Sequence, residues 1–182
     1  EVPFAGVLKL ENKHLVIDSE GNGIVLSRNC EIVIEDAQGR EKSRHHVPYG
    51  TKILAAEGSK VKKGQKVAEW DPFTIPVISE KAGQAELVDL INNVSVKETV
   101  DETTGIVSKV VVDWRSNSSS AGLKPSIMLK DAKGKPVTYD NGKEVRYYLS
   151  VDAILTVDNG AEVKVGDVIA RIPRESSKTK DI

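Results

Sequence analysis

Apolar residues along this chain come in short runs that alternate with polar residues and are separated by turn residues. Glycine, proline, asparagine and aspartate recur between the runs, at a spacing of about 8–12 residues that is typical of all-β barrels and sandwiches. One stretch, 84–92, is compatible with a helical turn as well as with a strand. The pattern predicts strands at 15–17, 23–26, 31–34, 40–46, 52–56, 65–70, 94–99, 106–113, 126–130, 144–149, 153–157 and 167–172, of which 40–46 is polar.

An internal repeat organises these runs. Residues 58–70 read Gly-Ser-Lys-Val-Lys-Lys-Gly-Gln-Lys-Val-Ala-Glu-Trp, and residues 160–172 read Gly-Ala-Glu-Val-Lys-Val-Gly-Asp-Val-Ile-Ala-Arg-Ile. The two segments are offset by 102 positions (160 minus 58) and share both glycines. Glycine adopts positive φ without a Cβ clash, so two glycines around a short alternating run predict a tight β-hairpin corner.

A second match lies upstream in each copy, at an offset of 95 (127 minus 32). Residues 15–18 align with 110–113, and 32–39 align with 127–134, where both copies end in Asp-Ala-x-Gly. The second copy therefore has seven more residues (102 minus 95) between its two matches. They fall around 139–144, where Asp-Asn-Gly predicts a turn.

The repeat predicts two similar all-β domains in tandem, related by duplication. On this interpretation the first domain spans 11–97 and the second spans 98–174. Residues 1–10 are then an N-terminal linker that is able to become a strand, and residues 175–182 are a C-terminal linker.

Composition and charge narrow the class of protein. The 182 residues carry a net charge of −1, so the chain has no overall attraction to polyanions. No apolar run reaches the ~18 residues of a membrane span, and the first residues lack the pattern of a secretory signal. The single cysteine, Cys30, excludes an internal disulfide, fits a reducing compartment and is interpreted as a buried or half-buried strand residue.

The sequence contains no constellation typical of an active site or a metal centre. Neighbouring strand residues point to opposite faces, so His45 and His46 do not chelate one ion, and His14 is distant in sequence. The acidic pairs at 35–36 and 101–102 fall in turns, where carboxylates commonly accept local amide hydrogen bonds. We therefore predict no catalytic, cofactor-binding or metal-binding residue in this chain.

Lysines at one hairpin tip and one tryptophan are the candidates for contact with a partner. The second copy keeps only one lysine at the positions of the lysine cluster, so the fold does not need the charge. The cluster is either a solvated hairpin tip or a contact for a phosphate backbone or an acidic subunit. Trp70 aligns with Ile172 and is expected in the core, whereas Trp114 aligns with Ser19 and is expected to be more exposed. The lysine cluster consists of Lys60, Lys62, Lys63 and Lys66.

The motif Val-x-x-Gly-x-x-Val-Ala at 61–68 resembles that of biotinyl and lipoyl carrier domains. Those domains present a modified lysine at a later hairpin tip. The comparable stretches here, Glu-Trp-Asp-Pro-Phe-Thr at 69–74 and Arg-Ile-Pro-Arg at 171–174, contain no lysine. The resemblance therefore implies a related fold, and a carrier function stays an alternative that a biotin or lipoate adduct would reveal.

Further motifs cover essentially the whole chain: Val-Pro-Tyr-Gly at 47–50, Trp-Asp-Pro at 70–72 with Pro-Val-Ile at 76–78, Asp-Glu-x-Thr-Gly at 101–105, Ala-Arg-Ile-Pro-x-Glu-Ser at 170–176, and Thr-Lys-Asp-Ile at 179–182. Together they resemble the lineage-specific insertion in the trigger loop of the bacterial RNA polymerase β′ subunit (sequence insertion 3) of proteobacterial type. One departure is Ser177-Lys178, where relatives commonly carry glycines.

This resemblance implies two sandwich-barrel hybrid domains in a part of a nucleotidyltransferase that has no catalytic residues of its own. It implies a role in trigger-loop movement, and hence in elongation, pausing and transcript cleavage. The implied partners are the rest of β′ and the β subunit in a complex with α, ω and σ, together with downstream DNA and transcript-cleavage factors, and no membrane. Mg²⁺ and Zn²⁺ are implied elsewhere in the full subunit, and the implied location is the cytoplasm at the nucleoid. A free-standing module that binds nucleic acid is the other alternative.

Overall fold

The structure is a computed structural model that describes residues 1–174. Every named strand pair is antiparallel, and this part of the chain contains no helix. The predicted all-β fold is confirmed, and 84–92 contributes a strand rather than a helical turn. The predicted linker at 175–182 lies outside the described residues. The strands are β1 (Gly6–Glu11), β2 (Leu15–Ile17), β3 (Gly23–Val25), β4 (Glu31–Glu35), β5 (Glu41–His46), β6 (Lys52–Ile53), β7 (Lys60–Val61), β8 (Ala68–Glu69), β9 (Thr74–Ile78), β10 (Gly83–Val88), β11 (Val96–Val100), β12 (Val107–Val111), β13 (Ser126–Lys130), β14 (Arg146–Tyr148), β15 (Ile154–Leu155), β16 (Glu162–Val163) and β17 (Val168–Pro173).

The chain divides into two compact units, Glu1–Pro72 and Phe73–Ile182. This division corrects the boundary expected between 97 and 98, because β9 pairs with β17 and β10 pairs with β13, both in the second unit. The expected linker at 1–10 contributes a strand, as the sequence allowed, because β1 pairs with β4 over five residues. The hydrogen-bonding partners of these strands are remote in sequence, so the local pattern did not reveal which unit they join.

The first unit contains two four-stranded sheets, in the orders β5-β4-β1-β7 and β2-β3-β6-β8. Alternate residues of the central strands β1 and β4 point into one apolar core, as the period of two in a strand requires. Cys30 is buried in this core, and burial raises the pKa of its thiol. The buried core residues are Val2, Leu8, Leu10, Val25, Cys30, Ile32, Ile34, Val47, Ile53, Val61 and Val67.

The second unit contains a four-stranded sheet, β14-β13-β10-β16, and a five-stranded sheet, β11-β12-β15-β17-β9. Its core is separate from that of the first unit and made of residues from the second unit only. The buried members are Ala85, Val96, Val111, Trp114, Ile127, Leu129, Val145, Leu149, Ala153, Leu155, Val163, Ile169 and Ala170. Two antiparallel sheets around one core in each unit make a barrel-like all-β fold.

The predicted hairpin corners are present in both units. Gly58 and Gly64 have φ of 85° and 84°, and their counterparts Gly160 and Gly166 have φ of 86° and 88°. The amide of Gly58 donates to the Leu8 carbonyl at 2.7 Å, and that of Gly160 donates to the Ala85 carbonyl at the same distance. The corner thus ties β1 in the first unit, and its counterpart β10 in the second, to the glycine hairpin of that unit.

The two Asp-Ala-x-Gly turns also match in detail. The Oδ1 atom of Asp36 accepts backbone amides from Gln38 and Arg40, each at 2.9 Å. Asp131 accepts the equivalent amides of Lys133 and Lys135 at the same distance. The additional residues of the second copy form a further turn, in which the Tyr139 amide donates to the Lys143 carbonyl at 2.8 Å, where the Asp-Asn-Gly signal predicted it.

The upstream alignment of 15–18 with 110–113 is wrong. β2 pairs with β3 and β11 pairs with β12, so the counterpart of β2 is β11. The Leu26 amide donates to the His14 carbonyl at 2.7 Å, and the Val112 amide donates to the Ser95 carbonyl at 2.9 Å. These equivalent hydrogen bonds show that β2 corresponds to β11. The second unit has more residues both in this hairpin and between β12 and β13, so a constant offset aligned β2 with β12 instead of β11.

Candidate interaction surfaces

The lysine cluster lies on the outside of the first glycine corner. Lys60, Lys62, Lys63 and Lys66 are all exposed, while Val61 between them points into the core. Lys66 pairs with Glu69, with 3.0 Å between Nζ and Oε2. Among residues 1–174 the other three lysines form no ion pair, so the hairpin presents three uncompensated positive charges to solvent. Contact of this cluster with a partner stays a prediction.

The environments of the two tryptophans are the reverse of those that the sequence predicted. Trp114 is only 4% exposed and packs in the core of the second unit, so the expectation that it is more exposed than Trp70 is wrong. Contact of Trp114 with a partner stays a prediction. Its indole Nε1 donates to the Leu123 carbonyl at 3.0 Å, and Ser120 Oγ donates to the Trp114 carbonyl at 2.7 Å. The serine-rich loop after Trp114 folds back over it, a long-range effect that the alignment with Ser19 could not show.

Trp70, which was expected in a core, is 48% exposed. It lines an open concavity of about 340 Å³ on the first unit, beside Val2, Val67 and Ala68. Arg44, His45 and His46 border the same concavity. An exposed indole next to apolar side chains is the kind of surface that commonly contacts another segment or protein.

Arg44 on β5 joins carboxylates from three neighbouring strands, an arrangement that the sequence analysis missed. It forms ion pairs with Glu11 on β1, Glu31 on β4 and Glu41 on its own strand. Hydrogen bonding from Arg44 lowers the pKa of the Glu11 carboxyl, and the carboxylates, Glu11 most strongly, raise the pKa of the Arg44 guanidinium. The cluster connects adjacent strands on their solvent side, and its members are too distant in sequence for a motif to reveal.

Residues 1–174 contain no group of three or more His, Cys, Asp or Glu side chains able to hold a metal ion. His45 and His46 are both exposed on β5. Within the same residues there is no helix long and apolar enough to cross a membrane.

The fold and its surfaces define a duplicated, barrel-like all-β module with an exposed cationic hairpin on its first unit. No family model matches the chain. Over all 182 residues it is 48% identical to the DNA-directed RNA polymerase subunit beta' of Rickettsia canadensis (strain McKiel), 47% to that of Rickettsia akari (strain Hartford) and 49% to that of Rickettsia rickettsii (strain Iowa). The chain is a homologue of one segment of these β′ subunits and spans 13% of their length. The resemblance to a β′ subunit that the sequence motifs indicated is thereby confirmed.

Proposed function

We propose that this chain is an insertion in the trigger loop of an RNA polymerase β′ subunit and that it modulates the movement of that loop. The observation that carries the proposal is the match of all 182 residues to 13% of β′ at 47–49% identity. The motifs at 47–50, 70–72 and 101–105 support the assignment to the trigger-loop insertion. The effects on the polymerase would be on elongation, pausing and transcript cleavage.

The path of the chain in the second unit supports insertion into a loop. The Arg174 amide donates to the Phe73 carbonyl at 3.0 Å, and Thr74 lies opposite Pro173 in the β9–β17 ladder. The incoming and outgoing chains of this unit are therefore side by side. A domain whose ends are adjacent is added to an existing loop without separating the two ends of that loop.

Modulation requires only a small free-energy difference. The insertion would move with the trigger loop and dock on different neighbouring surfaces in the closed and open states. A ligand or docked body shifts a two-state equilibrium by its differential affinity for the two states. A difference of about 1.4 kcal/mol changes the ratio of closed to open loop tenfold. The cationic hairpin and the concavity at Trp70 are the surfaces available in the first unit.

The proposal places the chain in a defined assembly. Its partners would be the rest of β′ and the β subunit, in a complex with α, ω and σ at the nucleoid, with downstream DNA and transcript-cleavage factors nearby. The Mg²⁺ and Zn²⁺ of such an enzyme would be held elsewhere in β′. The role of this segment would be positional and not chemical.

The test is excision of residues 1–182 from full-length β′, with the flanking ends joined, followed by assembly of the polymerase. We expect nucleotide addition to persist while pause lifetimes, elongation rate and transcript cleavage change. A second variant removes only 74–173, because Phe73 and Arg174 are already adjacent, and it reports the contribution of the second unit alone. Kinetics identical to those of the intact enzyme in both variants would refute the modulatory role.

A further inference from the structure

The two units differ at one sheet edge. In the second unit, β17 runs for six residues and lies between β15 and β9. Its counterpart in the first unit, β8, has two residues and, within the described chain, pairs with β6 alone. The first unit therefore has an open edge at the position where the second unit has a strand.

Hydrogen bonds at the glycine corners show which residues correspond at this edge. The Gly64 amide donates to the Val2 carbonyl at 2.8 Å, and the Gly166 amide donates to the Ser79 carbonyl at 2.8 Å. In return the Val2 amide donates to the Gln65 carbonyl at 3.0 Å, and the Ser79 amide donates to the Asp167 carbonyl at 2.9 Å. Val2 is thus the counterpart of Ser79, and the residue before Ser79 is the last residue of β9. The chain that precedes Val2 consequently enters the first unit at the place that β9 occupies in the second.

The open edge has the properties of an incomplete sheet. The Leu54 amide donates to the Val67 carbonyl at 2.8 Å, so Val67 and Glu69 face β6. By the alternation of an antiparallel ladder, the backbone groups of Ala68 and Trp70 point to the open side. Unpaired backbone groups along a strand are a template for another strand.

The side chains at this edge point to the same conclusion. Ile172 packs against the core beside β9, whereas its counterpart Trp70 is 48% exposed above the concavity that Val2 and Ala68 also line. A large aromatic side chain left in solvent where its counterpart is packed indicates a missing neighbour. At the equivalent edge of the second unit, that neighbour is present and is β9.

We propose that the residues immediately upstream of Glu1 in the β′ chain form a fifth strand that pairs antiparallel with 68–71 and covers Trp70. The register follows from β9, where Val77, Pro76, Ile75 and Thr74 lie opposite Ala170, Arg171, Ile172 and Pro173. The first, second, third and fourth residues before Glu1 would therefore lie opposite Ala68, Glu69, Trp70 and Asp71. This inference rests on the part of the proposed function that makes the chain an internal segment of β′, and not on any kinetic effect.

The fifth strand would change how the first unit is attached. The upstream chain would be part of the sheet and not a free tether, so movement of the flanking loop would act directly on the β8 edge. It would also bring the incoming and outgoing chains of the first unit together near Pro72, as Phe73 and Arg174 are together in the second unit. Both units would then share one mode of attachment.

The test is a disulfide in full-length β′ assembled into the polymerase. Glu69→Cys is combined with cysteine at the second residue before Glu1. This cysteine pair corresponds to the Arg171–Pro76 pair of the second unit. Pro76 has no backbone amide to donate, as expected at a position whose residue forms no hydrogen bonds with the residue opposite. The Cα atoms of such a pair are about 4.5 Å apart, within the range of a disulfide. The matched control combines Arg171→Cys with Pro76→Cys, which are neighbours in the structure.

We expect both pairs to link under mild oxidation, as detected by mass spectrometry of proteolytic fragments. A shifted pair, with the upstream cysteine moved three residues further from Glu1, should link much less. Absence of the Glu69→Cys link when the control links overturns the proposal, and so does a link that is equally strong in the shifted pair.

Hydrogen exchange of the unmodified polymerase supplies a second measurement that needs no substitution. Peptides covering 68–71 should exchange as slowly as those covering 170–173 if a strand covers both edges. Rapid exchange at 68–71 overturns the proposal, and slow exchange without the expected disulfide shows that something else covers the edge. Unchanged pausing after excision of the insertion would contradict the proposed function but leave these two results unaffected.

Discussion

Gly6 approaches the backbone of Glu35 so closely that a Cβ at position 6 would lie 2.3 Å from the Glu35 carbonyl oxygen. In the second unit a Cβ on Gly83 would lie 2.9 Å from the carbonyl oxygen of Lys130. Gly6 and Gly83 begin β1 and β10, which occupy equivalent positions in the two sheets. The absence of a side chain at these two positions lets β1 cross close to β4, and β10 close to β13.

Gly6→Ala should destabilise the first unit by about 1–3 kcal/mol, because backbone atoms must move to admit the methyl group. Gly83→Ala should cost less, since the clash is milder. Chemical unfolding of the chain measures both. Gly122→Ala is the control, because no atom lies within 4 Å of its Cβ position, and its effect should stay within about 0.5 kcal/mol. Equal stability of the Gly6→Ala and Gly122→Ala variants would contradict the close approach.

The two tryptophans should respond differently to substitution. Trp114→Ala should destabilise the second unit by about 3–5 kcal/mol, because Trp114 is buried and its indole is hydrogen-bonded. Trp70→Ala in the isolated chain should cost about 0.5 kcal/mol, as for a surface substitution. Acrylamide quenching of the single-tryptophan variants Trp114→Phe and Trp70→Phe checks the exposure directly. Stronger quenching of Trp114 than of Trp70 would show that the assignment of core and surface is reversed.

Glu57 should make the stability of the first unit sensitive to acid. Its carboxylate pairs with Lys13 and accepts the Leu10 amide at 2.9 Å, and these contacts, the bond with Lys13 first, lower its pKa below the ordinary value of 4.5. A lowered pKa in the folded state means that the contribution is complete above the pKa of the unfolded state and is lost as the pH falls through the folded value. Stability should therefore decline below about pH 4.5 as Glu57 becomes protonated.

The second unit supplies a natural comparison for Glu57. Asn159 accepts the Leu87 amide at 3.0 Å in the equivalent place without a titratable group. Glu57→Gln should keep the hydrogen bond from the Leu10 amide but lower the free energy of unfolding at neutral pH. It should also reduce the change of that free energy with pH in the acid range. An unchanged pH profile in Glu57→Gln would show that the charge of Glu57 contributes nothing.

The isolated chain should bind duplex DNA weakly or not at all, because its net charge is −1. Any residual binding should be lost in a variant with Gln at the four lysines of the cluster. It should be retained when Lys133, Lys135 and Lys143 of the second unit are replaced instead. Binding measured over a range of salt concentrations tests this. A steep fall of affinity with salt in the unmodified chain would indicate many phosphate contacts and favour a nucleic-acid-binding module.

Much of the fold was predictable because the signals that specify it are local. The turn at Asp36 needs only an aspartate and a glycine three residues later, and the same turn recurs at Asp131. The corner at Gly58 likewise needs residues that tolerate positive φ. Repetition of these signals in the same order, at offsets of 95 (131 minus 36) and 102 (160 minus 58), was sufficient to reveal the duplication. Recognition of β′ depended on motifs and was confirmed only by comparison with relatives.

The candidate surfaces were less predictable, because exposure depends on what packs above a residue. The burial of Trp114 depends on a loop that returns over it, and the exposure of Trp70 depends on a strand that the first unit lacks. Arg44 reaches a carboxylate 33 positions away, which no spacing rule would select. The lysine cluster was located correctly on an exposed hairpin because its position follows from the glycine corner itself.

By itself, the sequence determined the all-β class, the turns and the twofold repeat, since each depends on interactions among residues close together in the chain. Tertiary structure alone decided which strands belong to which unit, which tryptophan is buried and which sheet edge is left open. Those outcomes depend on hydrogen bonds and packing between segments far apart in sequence, where the number of alternative pairings exceeds what the local pattern of apolar and polar residues can distinguish.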